Sequence, residues 1–239
     1  MVAAPAPPSA LSRPLRSPVG LGRAAAILLL VVAVTDIAAI TAALNLRRLM
    51  TIMESGDFLA YSTEDADLAD LLMVVTSFAQ FAAFAATVVV FIIWFHRVRS
   101  NAELFALDRF TKSRGWAIGG WFIPVAFLWI PRRVAAETWT ASRTDPYAGD
   151  DHEHGTLVNV WWIAFVASWL VTRYADRLYD KAETTQEIVS AADALVVAGV
   201  VDIVAAVLAA LFVRRLTHMQ HARALGKVGA TPAEAGSRR

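Results

Sequence analysis

One polar side chain in each of four apolar runs falls at the same depth: Asp36, Gln80, Ser168 and Asp202. Counted at about 1.5 Å per residue from the basic ends of their runs, all four lie roughly 16 to 22 Å in. An aspartate at the centre of a bilayer costs about 2.5 to 3.5 kcal/mol on insertion scales, and an ionisable group held there is a functional candidate by default. No Lys, Arg or His shares that depth to form an ion pair. Two readings follow. In one, Asp36 and Asp202 relay a proton or carry a cation. In the other, both stay neutral and hydrogen-bond Gln80, Ser or Thr across helices, tying the bundle together.

Other groups able to do chemistry are few. Asp150, Asp151, His152, Glu153 and His154 could meet a hard metal, but they sit in a hydrophilic stretch beside Pro146 and Gly149 and read as a solvated loop. His218 and His221 share a helix face, yet two ligands make an incomplete site and neighbouring Arg residues repel cations. Without cysteine there is no disulfide, thiolate nucleophile or Cys-based metal centre. No Walker loop, GxGxxG, HExxH or GxSxG is present. These observations predict no catalytic residue, no cofactor and no metal site.

The elements that position the polar layer must be membrane spans. The chain is 57% hydrophobic and only 18% charged, against about a quarter charged in soluble domains. Apolar runs predict spans at about 24–46, 71–95, 157–174 and 191–213, each near the length that crosses the ~30 Å hydrocarbon layer. Residues 1–22, rich in Pro, and 225–239, basic and rich in Ala and Gly, read as tails without fixed structure around one membrane domain, 23–224. Small residues at four-residue spacing predict close helix contacts: Ala38 with Ala42, Ala39 with Ala43, Ala79 with Ala83, Ala82 with Ala86, Ala205 with Ala209, and Ala206 with Ala210.

Between the second and third spans lies Trp94 to Trp139, which decides the topology. Its apolar piece, Trp116 to Pro131, would reach only about 24 Å as a helix. It contains Gly119, Gly120 and Pro124, with Arg114 before it and Arg132 and Arg133 after. Cytoplasmic loops collect Lys and Arg. With four spans, every basic residue except Arg47, Arg48, Arg173, Arg177 and Lys181 falls on one side with both termini; a fifth span would strand one terminal cluster. The expected fold is therefore an all-α, four-span bundle of two transmembrane hairpins. Both termini are cytoplasmic, and an amphipathic or re-entrant Trp-rich segment, about 116–142, lies in the central linker. Trp116, Trp121, Trp129 and Trp139 suit the headgroup boundary.

At WFHRVRSNA, RGWAIGGWFIP and the following LW, P and ExW, the chain resembles a bacterial membrane family catalogued as domain of unknown function 4328. The resemblance covers about Ala24 to Ala224. Its pattern falls on Trp94, Arg97, Asn101, Trp116, Gly120, Trp121, Pro124, Leu128, Trp129, Pro131 and Trp139. An Asn often stands in the family where this chain has Phe127, a departure that weakens any polar ligand site at this turn. The resemblance implies a multi-span protein of a bacterial inner membrane, often actinobacterial, with no established activity.

The function expected from these features is a non-enzymatic scaffold or binding module at the cytoplasmic leaflet. Trp94, Arg97, Asn101, Arg114, Trp116, Gly120, Trp121, Pro124, Trp129, Pro131, Arg132, Arg133 and Trp139 form its inner-interface motif. Arg97, Asn101, Arg114, Arg132 and Arg133 would contact anionic headgroups, a protein partner or a second copy of the chain. Nucleic acid is not expected, because basic residues beside spans serve topology and lipid contact. The alternative is a small transporter or proton- or cation-coupled permease built on Asp36 and Asp202.

Overall fold

Local sequence sets where each helix starts and stops. The Ser62 hydroxyl accepts the Asp65 N–H while the Asp65 carboxylate accepts the Ser62 N–H, a capping box that opens helix α2 (Thr63–Ala102). Just before it, Gly56 takes the left-handed conformation and ends α1 (Val19–Ser55). Thr184 and Glu187 repeat the same reciprocal bonding at the turn from α5 (Thr156–Lys181) into α6 (Thr185–Gly229). Between these hairpins lie a short α3 (Trp116–Gly119) and α4 (Ile130–Ser142), the latter with Pro in its first turn, where a missing N–H costs nothing. The structure, a computed structural model, describes residues 15–56, 62–147 and 155–229. No strand occurs among them. The cluster Asp150 to His154 lies outside the described residues, as do 1–14 and 230–239 of the expected tails.

Four helices, α1, α2, α5 and α6, are long and apolar enough to cross a membrane. They outrun the apolar stretches that announced them. At 37, 40 and 45 residues, α1, α2 and α6 reach about 55 to 68 Å, roughly twice the hydrocarbon thickness. Helix α1 begins at Val19, inside the stretch read as a tail, and α6 continues to Gly229. Phe78, Phe81, Ile163 and Val34 stand largely exposed on the outer faces, an apolar surface that only lipid would solvate without penalty.

The four helices form a row in the order α2, α1, α6, α5: α1 packs on α2 and α6, and α6 on α5. Helix α2 does not pack along α5, so the expected bundle is open on that side. At one end the opening is filled by the Trp-rich linker. Trp121 stands between α2 and α5, 5.7 Å from the Phe91 ring and 5.8 Å from Phe165. This end, which carries the start of α1 and the end of α6, is called basal below; the opposite end, with the α1–α2 and α5–α6 turns, is distal.

The central α1–α6 contact is a small-residue seam. A Cβ on Gly22 would collide with Thr217 Oγ1, and one on Gly199 would lie 2.7 Å from Ile40 Cγ1. These contacts are 18 residues apart on both helices, 22 to 40 and 199 to 217, so the antiparallel register holds for about 27 Å. Ala33, Ala42, Ala43, Ala205, Ala206, Ala209 and Ala210 are buried. Ala38, Ala79, Ala82 and Ala86 are exposed, which corrects the expectation that every small pair meets a neighbour. Four-residue spacing supplies a smooth face, and a partner opposite it is a separate requirement.

Candidate functional site

Two polar centres stand out, one at the basal end and one at mid-depth. At the basal end, α6 presents Thr217 and Gln220 on one face. The Trp94 indole N–H donates to Thr217 Oγ1 at 3.0 Å, where Gly22 leaves room for that hydroxyl, so α1, α2 and α6 meet at one point. One turn on, buried Gln220 uses its amide to the full. Its Nε2 donates to the Val98 carbonyl at 2.8 Å and to Ser142 Oγ at 2.9 Å, while its Oε1 accepts from Asn101 Nδ2 at 3.3 Å. Asn101 in turn clasps the backbone of Arg16, donating to its carbonyl at 2.7 Å and accepting its N–H at 3.2 Å. Gln220 and Asn101 together thus join α6, α2, α4 and the stretch leading into α1.

A second knot pins the loop after α2. Arg99 is fully buried. Its guanidinium lies 3.5 Å from the Phe110 ring centroid, donates to the Lys112 carbonyl at 2.6 Å and pairs with Glu103 at 2.9 Å. The other Glu103 oxygen takes Arg114 at 2.8 Å. Burying a guanidinium is tolerable only with this degree of pairing. Arg223 donates to the Ala141 carbonyl at 2.8 Å and also to that of Arg143, and its guanidinium lies over Phe105, closing the end of α4.

The Trp-rich segment enters and leaves at the basal end. Its entry is held by Arg114 on Glu103 and by Lys112 against the Trp116 ring, 5.1 Å away. Its exit is held by Trp162, whose indole donates to the Leu128 carbonyl at 3.0 Å, by Arg132 on Asn159 at 2.7 Å, and by Glu137, which takes both Thr111 and Arg133. Gly120 sits where a Cβ would lie 2.8 Å from Ile130 Cγ2 and from the Trp116 carbonyl oxygen. At the tip Pro124 precedes Val125, whose φ is 66°, and the Ala126 N–H reaches back to the Pro124 carbonyl at 2.7 Å. Phe127 touches Trp169 on α5, ring centroids 5.2 Å apart.

The structure therefore gives the motif residues different positions. Arg114, Arg132 and Arg133 reach the surface, as does Trp129; Arg97 is half-buried and donates to the Ser17 carbonyl at 3.3 Å. Asn101, expected at headgroups, is instead buried, because its carboxamide serves the Arg16 backbone and Gln220. Trp94, Trp139 and Pro131 are buried, and Trp121 is half-buried as a wedge. Trp139 lies nearly parallel to Phe212, which stacks on Trp161 at 4.4 Å. For Trp94, Trp121 and Trp139 the neighbouring aromatic rings outbid the headgroup boundary. Sequence reading missed Arg99, Thr217, Gln220, Ser142 and Arg223. Thr217 and Gln220, three apart on an otherwise apolar face, were the available signal.

At mid-depth the structure holds two polar pairs, one on each side of the α1–α6 seam, and three of the four predicted groups take part in them. Gln80 Nε2 donates to Asp36 Oδ1 at 2.8 Å. Asp202 accepts from Thr172 Oγ1 at 3.1 Å, while Ser168 Oγ donates within its own helix to the Phe165 carbonyl at 3.1 Å. Thr172, unmentioned in the sequence reading, follows Ser168 by one helical turn and so shares its face. Asp36 is 3% exposed, and its second oxygen, Oδ2, is buried without a partner among the described residues.

No curated protein and no solved structure matches the chain. Residues 58–218 match the family described as Domain of unknown function (DUF4328). That stretch runs from before α2 to the last turns of the α6 seam and includes the whole pinned Trp-rich segment, so the chain belongs to the DUF4328 family.

Proposed function

We propose that the protein is a non-enzymatic membrane module whose basal end rests on anionic lipid headgroups of the cytoplasmic leaflet, with both termini in the cytoplasm. The observation that supports this reading is the tip and exit of the Trp-rich segment. Phe122, Val125 and Trp129 are 68%, 62% and 54% exposed, and exposed Arg132 and Arg133 follow within one turn. Apolar side chains and cations in that order match an interface, with the apolar groups among acyl chains and guanidinium groups at phosphate level. Arg132 and Arg133 each bond one neighbour and remain exposed, whereas Gln220, Asn101, Arg99 and Arg223 are buried or half-buried and hold backbone or each other. That use favours scaffolding over catalysis. Each cation near an anionic surface contributes about 1 kcal/mol, and ligand binding to the folded state raises its stability.

The test is thermal unfolding of the full chain in neutral detergent with added phosphatidylglycerol or phosphatidylcholine. Phosphatidylglycerol should raise the midpoint more, and Arg132→Gln with Arg133→Gln should remove most of that difference. Equal midpoints with the two lipids would end the proposal.

A further inference from the structure

The mid-depth acids are not explained by a lipid-facing role. Asp36 is buried with one oxygen satisfied by Gln80 and the other by nothing among the described residues, a rare condition for a buried carboxyl group. Asp202 lies across the seam on α6, where the register that sets Gly22 against Thr217 and Ile40 against Gly199 brings Asp36 to its level. The polar groups bonded to them bear oxygen or amide nitrogen: Gln80 on Asp36 and Thr172 on Asp202. Such ligands suit hard cations. Among the described residues no three His, Asp or Glu converge, and two acids with amide and hydroxyl neighbours match the charge of a small monovalent ion best.

The surrounding charges give the site a direction. Helix α1 contributes Asp36 alone at this level, α2 the neutral Gln80, and α6 Asp202. On α5, Asp176 and Asp180 follow Thr172 at four-residue intervals, so the three lie on one face leading to the distal end, and both acids are exposed. The same helix carries three exposed cations, Arg173, Arg177 and Lys181. Farther out, Arg47 is engaged by Asp193 at 2.6 Å. Towards the basal end the way is closed by rings: Phe165, one turn below Ser168, meets Trp121 and Trp162, and Phe91 meets Trp121 and Trp161.

We propose that Asp36 and Asp202 hold a small monovalent cation, a proton or a sodium ion, that enters from the distal end past Asp180 and Asp176 and cannot leave through the basal aromatic cluster. Proton and sodium would compete for the same oxygens, with Asp36 Oδ2 the position now lacking a partner. This site is independent of the lipid contact proposed above.

Infrared difference spectroscopy on the full chain in liposomes tests the site. Spectra are taken between acidic and alkaline buffers, and at fixed pH between sodium and choline. The expected result is a carboxyl band that responds to pH, is lost in Asp36→Asn and moves in Thr172→Val. Thr172→Val keeps both acids and serves if Asp36→Asn does not fold. A response to sodium as well assigns the ion as sodium competing with the proton, and a response to pH alone assigns the proton. Bands of Asp36 and Asp202 indifferent to both overturn the site. Because the chain has no cysteine, Thr172→Cys creates a single thiol. An impermeant maleimide should label it from the distal side of right-side-out or inverted vesicles, and sodium, if bound, should protect it. Labelling from the basal side only, or from neither side, overturns the route.

Discussion

Gln220 ties the basal end together, because a single carboxamide bonds three groups on two other helices at once. Its loss would take one hydrogen bond each from the Val98 carbonyl, the Ser142 hydroxyl and the Asn101 amide in a place water does not reach, while Ser142 keeps the Thr138 carbonyl and Asn101 keeps the Arg16 backbone. Each lost bond costs about 0.5 to 1.5 kcal/mol, and the emptied volume adds to it. Partial relaxation makes the sum smaller, so Gln220→Ala should destabilise the protein by about 2 to 4 kcal/mol, seen as a lower thermal midpoint in detergent. The exposed neighbour His221→Ala is the control; equal effects would remove Gln220 from the centre of the network. A second pair of substitutions concerns the Trp-rich turn. Val125 holds a φ of 66°, where a β-branched side chain is strained by about 1 to 3 kcal/mol. Glycine elsewhere would cost about 0.5 to 1 kcal/mol, but Val125→Gly should leave the midpoint unchanged or raise it. Gly120→Ala should lower it, since the new methyl meets a backbone oxygen that cannot move aside. Gly120 was visible in the sequence as part of a motif. Val125 was not, because nothing in a β-branched residue announces a left-handed backbone.

Among the elements, the α1–α6 seam is the axis on which the two hairpins are hung. Its contacts are Gly and Ala against Ile, Thr and Ala, so dispersion at short range replaces the hydrophobic drive that lipid cannot supply. Leucine at Ala206, buried in the seam, should separate the helices and lower stability by about 1 to 3 kcal/mol. Leucine at Ala82, exposed on α2, should change it by less than about 0.5 kcal/mol. Similar losses at both positions, measured by unfolding in the same detergent, would mean that Ala82 is covered by another chain. This contrast also marks what the sequence could deliver at this scale. Length and apolarity revealed four crossing helices, because the bilayer imposes both. They could not reveal which Ala-rich faces meet, since α1, α2 and α6 all carry the same spacing. Nor could they reveal that α2 and α5 stand apart, since that gap depends on Trp121 occupying the space between Phe91 and Phe165. The mid-depth layer was legible as four residues at one depth. Its division into two pairs, with Thr172 in place of Ser168, depends on the order of the helices, which no run of residues encodes locally.

At the scale of the whole molecule the two ends differ in charge. The basal end gathers Arg23, Arg132, Arg133, Arg214 and Arg215 on exposed positions, whereas the distal end exposes Glu54, Glu64, Asp65, Asp67, Asp70, Asp176 and Asp180. Arg47, the distal cation closest to the seam, is already paired with Asp193. Cationic ends are retained in the cytoplasm during insertion, so a reporter fused after Gly229 should be active only inside the cell, and one placed between Gly56 and Ser62 only outside. The same arrangement would turn the acidic face of α5 outward, offering Asp36 and Asp202 to cations from the exterior, while the tip of the Trp-rich segment meets the anionic inner leaflet. The reporter result therefore reaches beyond topology. With the opposite outcome, Phe122, Trp129, Arg132 and Arg133 would face the outer leaflet and the headgroup reading would fall. The paired aspartates would keep their ligands and simply fill from the cytoplasm, so the vesicle orientation that exposes Thr172→Cys to maleimide should invert together with the reporters.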